Sequence, residues 1–151
     1  MNRRTWRVLG GILLLLLATA VVASAQGGKG SGGWGMNGAY GRLYNPSTVE
    51  TVTGKVVGVS KMTPMKGMGP GIHLDLQTQK ETVSVHLGPA WYLDRQDTRI
   101  EKGDEVEVTG SRVTVGGKPA LIASEVKKND QVLKLRDASG VPVWSGWRQG
   151  R

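Results

Sequence analysis

Two short runs of the chain alternate apolar and polar residues, and this pattern constrains the fold more than any other feature. They are residues 72–77 (IHLDLQ) and 82–87 (TVSVHL). A period of two residues puts successive side chains on opposite faces of a strand, so each run predicts a β-strand with one buried face. A turn of two or four residues around Gln79 and Lys80 joins the runs, which predicts an antiparallel hairpin.

The register of this hairpin follows from the side of each strand that carries the apolar residues. A shift of one residue would turn every apolar side chain to the solvent, so the register is strongly specified. The same register places His73 directly opposite His86 on the other, polar face. The predicted core pairs are Ile72 with Leu87, Leu74 with Val85, and Leu76 with Val83.

The remaining elements complete an all-β domain with one short helix. A valine-rich stretch from Val49 to Val59, interrupted by glycines, predicts a long and bent first strand. Residues 89–96 begin with proline and predict the helix, and residues 105–115 and 119–126 predict two strands joined by a Gly-Gly turn. Three strands, a helix and two strands is the OB-fold order, so we expect an OB-fold-like five-stranded Greek-key barrel. Residues 131–144 predict an appended C-terminal hairpin.

Residues 1–25 are typical of a secretory signal peptide. Three arginines precede an apolar run over residues 8–22, and small residues follow it. The run is shorter than the roughly 20 residues that span a bilayer. We therefore expect Sec-dependent export with cleavage between Ala25 and Gln26, giving a periplasmic or secreted protein with no membrane span. The adjacent arginines also fit the twin-arginine route, so the export pathway stays open.

Residues 26–44 are dominated by glycine and show no apolar periodicity. This composition predicts a flexible leader before a barrel domain over residues 45–151. No strand precedes the glycines and no helix follows them, so they match neither a P-loop nor a dinucleotide-binding fingerprint.

Cysteine content and charge limit the chemistry. The chain has no cysteine, which excludes disulfides, thiolate metal sites and thioether-linked haem. Its net charge of +8 includes three arginines of the signal segment, and late basic residues such as Lys134 and Arg136 are expected on a solvated face. OB-folds stack bases on aromatic residues of strands two and three, and the outward positions of those strands carry none here. Nucleic acid is therefore not the expected partner.

Four segments of the chain resemble a known family. They are TGKVV at 53–57, VHLGPAWY at 85–92, GDEVEVTGS at 103–111, and LRD at 135–137 followed by PVW at 142–144. Together they resemble exported bacterial OB-type proteins that share a domain with the magnetosome-associated MamS and MamX proteins. MamX-type proteins bind haem through Cys-x-x-Cys-His motifs. Since this chain has no cysteine, the resemblance implies the domain but no haem.

Methionine and histidine supply the candidate metal ligands. Met62, Met65 and Met68 recur at every third residue in a glycine- and proline-rich loop, just before the strand of His73. Thioethers suit Cu(I), and imidazole also suits copper, so these methionines with His73 and His86 form a candidate Cu(I) or Ag(I) site. The alternative is that the methionines are adaptable apolar packing and that the histidines are an ordinary polar strand pair.

The sequence offers little for catalysis. Ser84 shares a strand face with His86, but no third residue is evident that would orient the base. We therefore expect a non-enzymatic, exported OB-fold binding module of the bacterial envelope that takes a soft metal ion, a small ligand or an envelope protein partner. The alternative is an OB domain that interacts with protein or nucleic acid.

Overall fold

The computed structural model describes residues 31–145, and about half of these residues lie in β-strands. The predicted signal peptide, its cleavage site at Ala25 and Gln26, and the first residues of the predicted leader lie outside the described residues. Within residues 31–145, no helix has the length and apolar character needed to cross a membrane. The elements are β1 (Val49–Met62), β2 (Gly71–Gln77), β3 (Thr82–Pro89), α1 (Ala90–Leu93), β4 (Glu105–Val115), β5 (Lys118–Lys128) and β6 (Gln131–Lys134).

The strands form one sheet that returns on itself. Its order is β3-β2-β1-β4-β5-β6, and β3 also pairs with β5 in parallel. The first five strands therefore make a barrel-like ring, with α1 between β3 and β4 in the chain, as the OB-like order predicts. Strand β6 pairs with the end of β5 and lengthens the sheet there.

Strand β1 is long and bent, as predicted. Its first half pairs with β4 and its second half pairs with β2. An irregularity in the pairing between Val56 and Gly58 marks the bend, since a bulge increases the local twist of a strand. One strand can therefore serve two neighbours around the ring.

The β2–β3 hairpin confirms two of the three predicted core pairs. Gln77 pairs with Thr82 across a four-residue turn. The third prediction is wrong, because a bulge lies next to Ile72, which pairs with Gly88 and leaves Leu87 as the extra residue. The confirmed pairs are Leu74 with Val85 and Leu76 with Val83.

The predicted turn between the fourth and fifth strands is also confirmed. Val115 pairs with Lys118, so Gly116 and Gly117 are the two turn residues. Both have positive φ, 57° and 78°. This is the backbone of a type I′ turn, which glycine adopts without steric cost.

The predicted C-terminal hairpin forms only in part. A turn closes from Asp137 to Gly140, and beyond it only Arg136 and Pro142 form a β-bridge. The main pairing of this region is between β6 and β5. The hairpin is therefore short, and it lies against the ring.

The core extends to both faces of part of the sheet. In β5, residues 120–124 are all buried in succession, which requires cover on both faces. One face is the ring interior, and segments from before β1 and after β6 cover the other. Trp34, Tyr40 and Tyr44 are 0%, 1% and 6% exposed. The prediction of a flexible leader is therefore wrong for residues 31–44, because their aromatic side chains complete the core.

Candidate functional site

The two histidines of the chain meet on neighbouring strands. His73 of β2 and His86 of β3 are direct cross-strand partners, as predicted. Their rings stack with centroids 3.9 Å apart and planes 12° apart. They do not lie on an exposed face, however: they are only 2% and 5% exposed. The expected solvated pair is in fact a buried one.

Trp34 and Tyr40, which we call the aromatic roof, cover the histidine pair. The two roof rings pack edge to face at 4.9 Å. The Tyr40 ring lies nearly parallel to that of His86, with an angle of 9° between planes. Because the roof comes from the glycine-rich segment, that segment is what buries the histidines.

Hydrogen bonds and close packing hold Trp34 in place. Its indole Nε1 donates to the Gly69 carbonyl at 3.0 Å, and its own carbonyl accepts from Trp144 Nε1 at 3.0 Å. The ring lies directly on Gly71, where a Cβ atom would come within 2.1 Å of it. Residues 71 and 73 share a strand face, so the indole lies beside the His73 position.

The two imidazoles differ in hydrogen bonding. Nδ1 of His86 lies 3.0 Å from the Tyr40 hydroxyl. The phenol donates this bond when His86 carries its proton on Nε2. Both ring nitrogens of His73 are buried and have no hydrogen-bond partner among residues 31–145. Asp75, two residues further along β2, forms no hydrogen bond with this ring.

Burial keeps both histidines neutral. It lowers the pKa of His73 to about 4, against a smaller opposing effect of the Asp75 carboxylate. Burial, together with a smaller effect of the neighbouring His73, lowers the pKa of His86 to about 3. Burial also raises the pKa of Tyr40, so its phenol stays protonated. At neutral pH each imidazole therefore carries one nitrogen with a free lone pair, which is the form that binds metals.

Of the three candidate methionines, Met65 and Met68 lie in the loop between β1 and β2, and Met62 lies at its start. Met62 ends β1 opposite Gly71 and is 49% exposed. Met65 and Met68 are partly buried and pack against the core. Met68 also lies against Gly33 of the roof segment. The loop thus joins β2 at Gly71, the residue on which the Trp34 ring lies.

The stacking of the histidines limits how they can bind a metal ion. Imidazole lone pairs lie in the ring planes, and here the planes are nearly parallel and stacked. One ion cannot accept both lone pairs unless a ring rotates. Within residues 31–145, no group of three or more histidine or carboxylate side chains is placed to hold a metal.

The aromatic roof is the part of the site that sequence reasoning missed. A tryptophan and a tyrosine stand in a segment whose glycine content indicates flexibility. One signal was available: the run ALIA at 120–123 does not alternate, and such runs are typical of strands buried on both faces. A strand that is buried on both faces must be covered by another segment of the chain. The aromatic residues of the N-terminal segment were apolar residues that the sequence had not assigned to any strand or helix.

Comparison with known proteins identifies the family of the chain. Residues 48–133 match the model of the MamS/MamX magnetosome protein family, which covers the ring from the start of β1 to β6. The chain is thus an all-β protein with a barrel-like ring of strands. It belongs to the MamS/MamX family. No curated protein matches the chain.

Proposed function

We propose that this chain is a non-enzymatic, exported binding module of the bacterial envelope, associated with magnetosomes, that holds one soft metal ion, Cu(I) or Ag(I), through His73 and the methionine loop. The single observation that carries the proposal is the pair of buried, unpartnered ring nitrogens of His73. A buried polar group without a partner costs about 1–3 kcal/mol. A metal ion on one nitrogen is a partner that offsets this cost.

The loop supplies ligands of matching softness. Met65 and Met68 are partly buried within a loop that ends at Pro70, three residues before His73. Thioethers and neutral imidazole favour Cu(I) over Mg²⁺ or Ca²⁺, which prefer oxygen ligands. His86 is held by Tyr40 and stacks on His73, so in this proposal it positions the ligand imidazole.

The alternative, a nucleic-acid module, receives less support from this face. Bases stack on exposed aromatic rings. The aromatic residues Trp34, Tyr40 and Trp144 lie over β2 or β3, and all three are buried. None of them offers a ring surface to a base in this arrangement.

Titration calorimetry with Ag(I) tests the metal proposal. We expect one ion per protein, and His73→Gln should weaken binding at least about tenfold because it removes a ligand. The Met65→Leu/Met68→Leu double variant should weaken it as well. Met36→Leu is the matched control. It removes a methionine that lies outside the loop, between Trp34 and Tyr40, and it should leave the affinity unchanged.

Two results would contradict the proposal. If wild type and the double methionine variant bind Ag(I) equally weakly, the loop is packing material. If His73→Gln binds as tightly as wild type, the histidine pair is a structural one. Near-ultraviolet circular dichroism of each variant shows whether the roof remains in place, so that lost binding is not mistaken for lost folding.

A further inference from the structure

A buried arginine lies in the C-terminal hairpin, away from any carboxylate partner. Arg136 is 2% exposed, although the sequence predicts a solvated face for it. Within residues 31–145 its guanidinium forms no salt bridge. Buried charges are ordinarily paired, because removing an ion from water costs several kcal/mol. The position is therefore unusual for a purely structural arginine.

The protein provides the Arg136 guanidinium with ring contacts but with few hydrogen bonds. Nη1 of Arg136 donates to the Gly140 carbonyl at 3.0 Å. The guanidinium carbon lies 5.2 Å from the centre of the Trp144 ring and 5.7 Å from that of Tyr44. These ring faces stabilise a cation but accept none of its conventional hydrogen bonds. Nε of Arg136 is buried and has no hydrogen-bond partner in the part of the chain that the structure describes.

Arg136 lines a cleft of ≈ 320 Å³ between the hairpin and the ring. Lys134 contributes a second cation to its wall. Tyr44, Pro46 and Val49 form an apolar side. The cleft thus combines a fixed, desolvated cation, a flexible one at the surface, and a wall suited to a hydrocarbon body.

Two carboxylates also line the cleft, and both already have partners. Glu125 lies 3.3 Å from the Lys134 ammonium and 3.7 Å from that of Lys127. Oδ1 of Asp137 accepts the backbone N–H groups of Ser139 and Val141 within the hairpin turn. They reduce the positive potential of the cleft but leave the guanidinium without an anion.

We infer that this cleft binds a small organic acid, with its carboxylate at Arg136 and its apolar body against Tyr44, Pro46 and Val49. Guanidinium and carboxylate are geometrically matched, and hydrogen bonds between them are stronger than neutral ones. The inference is independent of the metal proposal, because it uses no residue of the histidine pair or the methionine loop.

Three probe molecules separate the parts of this inference. Benzoate carries a carboxylate and an apolar body, benzyl alcohol has the body without charge, and inorganic phosphate has charge without the body. We expect benzoate to shift the Arg136 Nε–H resonance and the amide resonances of residues 44–49 and 134–138 in ¹H–¹⁵N spectra. Benzyl alcohol should produce no such shift, and phosphate should bind more weakly than benzoate.

Variants at the mouth of the cleft test the location without touching Arg136. Ala138→Trp should abolish benzoate binding by filling the mouth, whereas Ala138→Ser should not. Lys134→Gln should weaken binding about twofold to fivefold, as expected for an exposed charge. Lys118→Gln removes the same charge from an exposed position on β5, outside the cleft, and should have no effect. Arg136→Lys should weaken binding more than Lys134→Gln, because an ammonium lacks the guanidinium fork.

Several outcomes would overturn the inference. Equal binding of benzyl alcohol and benzoate would mean that no anion is recognised. Tighter binding of phosphate than of benzoate would mean that the cleft selects an inorganic or phosphoryl oxyanion instead. An unchanged affinity in Ala138→Trp would place the benzoate elsewhere on the protein. If Arg136→Lys unfolds the domain, the mouth variants still decide the question.

Discussion

The indole N–H of Trp144 donates to the backbone carbonyl of Trp34, a residue 110 positions earlier in the chain. This bond joins the segment before β1 to the hairpin after β6. Both side chains are fully buried. The two ends of the described chain therefore support each other over the same face of the sheet.

Removing the Trp34 ring should destabilise the domain strongly. Trp34→Ala deletes a fully buried side chain and uncovers the histidine pair, so we expect the free energy of unfolding to fall by about 3–5 kcal/mol. Urea unfolding followed by circular dichroism measures the change. Met36→Ala, in the same segment but only partly buried, should have a smaller effect. Equal and small losses in both variants would mean that the roof does not hold the fold.

The Gly71 position should not tolerate even a methyl group. Gly71→Ala places a Cβ atom 2.1 Å from the Trp34 ring, so the ring must leave its position. We expect a lower thermal midpoint and a changed near-ultraviolet tryptophan signal. Gly69→Ala is the matched control, because its Cβ would meet nothing closer than the Gly32 carbonyl oxygen at 3.8 Å. If both variants melt alike, Trp34 does not pack on β2 as described.

Stability should fall as the metal-free protein is acidified. In the unfolded chain histidine takes up its proton near pH 6.5, whereas in the folded protein His73 does so at about 4 and His86 at about 3. Between these values the unfolded state binds more protons, so lowering the pH favours unfolding. At about pH 5 the loss amounts to roughly 2 kcal/mol for each histidine.

A double variant isolates this contribution. In His73→Gln/His86→Gln, only the carboxylates remain to titrate, so the fall in the free energy of unfolding between about pH 7 and 5 should be much smaller. Urea unfolding at several pH values measures both slopes. Identical slopes in the variant and the wild type would mean that the histidines are not buried in the neutral form.

The affinity for Ag(I) should change little over the same pH range. An exposed imidazole ligand would begin to lose metal to protons below about pH 6.5. With its pKa at about 4, the folded His73 has no proton to displace until the solution is far more acidic. Competition titrations at pH 7 and 5.5 measure this. A loss of about tenfold between them would indicate an imidazole of ordinary pKa at the site.

A charged side chain should unfold the domain at the buried positions of the β2–β3 hairpin but should be tolerated at its exposed positions. Leu74 and Val85 are fully buried, while Gln77 and Thr82 are exposed. Leu74→Asp or Val85→Asp should unfold the domain, because either leaves an unpaired charge in the core. Gln77→Asp and Thr82→Asp should change stability by less than about 0.5 kcal/mol. Soluble expression and urea unfolding of the four variants provide the comparison.

Much of the ring was predictable because its strands obey simple periodicity. The alternation at 72–77 and 82–87 predicted the cross-strand contact of His73 with His86. It failed at Ile72, because a bulge changes the register without any change in apolar pattern.

The candidate site was less predictable, for two physical reasons. Alternation tells which face of a strand is polar, but not whether a distant segment covers that face, so the burial of the histidines was missed. A high glycine content indicates a flexible backbone, but it does not tell whether the aromatic residues of the same segment pack against the rest of the protein. Here Trp34 and Tyr40 are buried against the sheet. Arg136 escaped for a related reason, since a basic residue is usually solvated.

The bond between Trp34 and Trp144 also has a consequence for how the domain folds. Contacts between residues so far apart form late, because closing a long loop is entropically unfavourable. Until this contact forms, Trp34 lacks the cover that Trp144 gives it. The folding domain thus presents an apolar, aromatic surface until its last hairpin closes, and a chain truncated before Trp144 would keep part of that surface exposed.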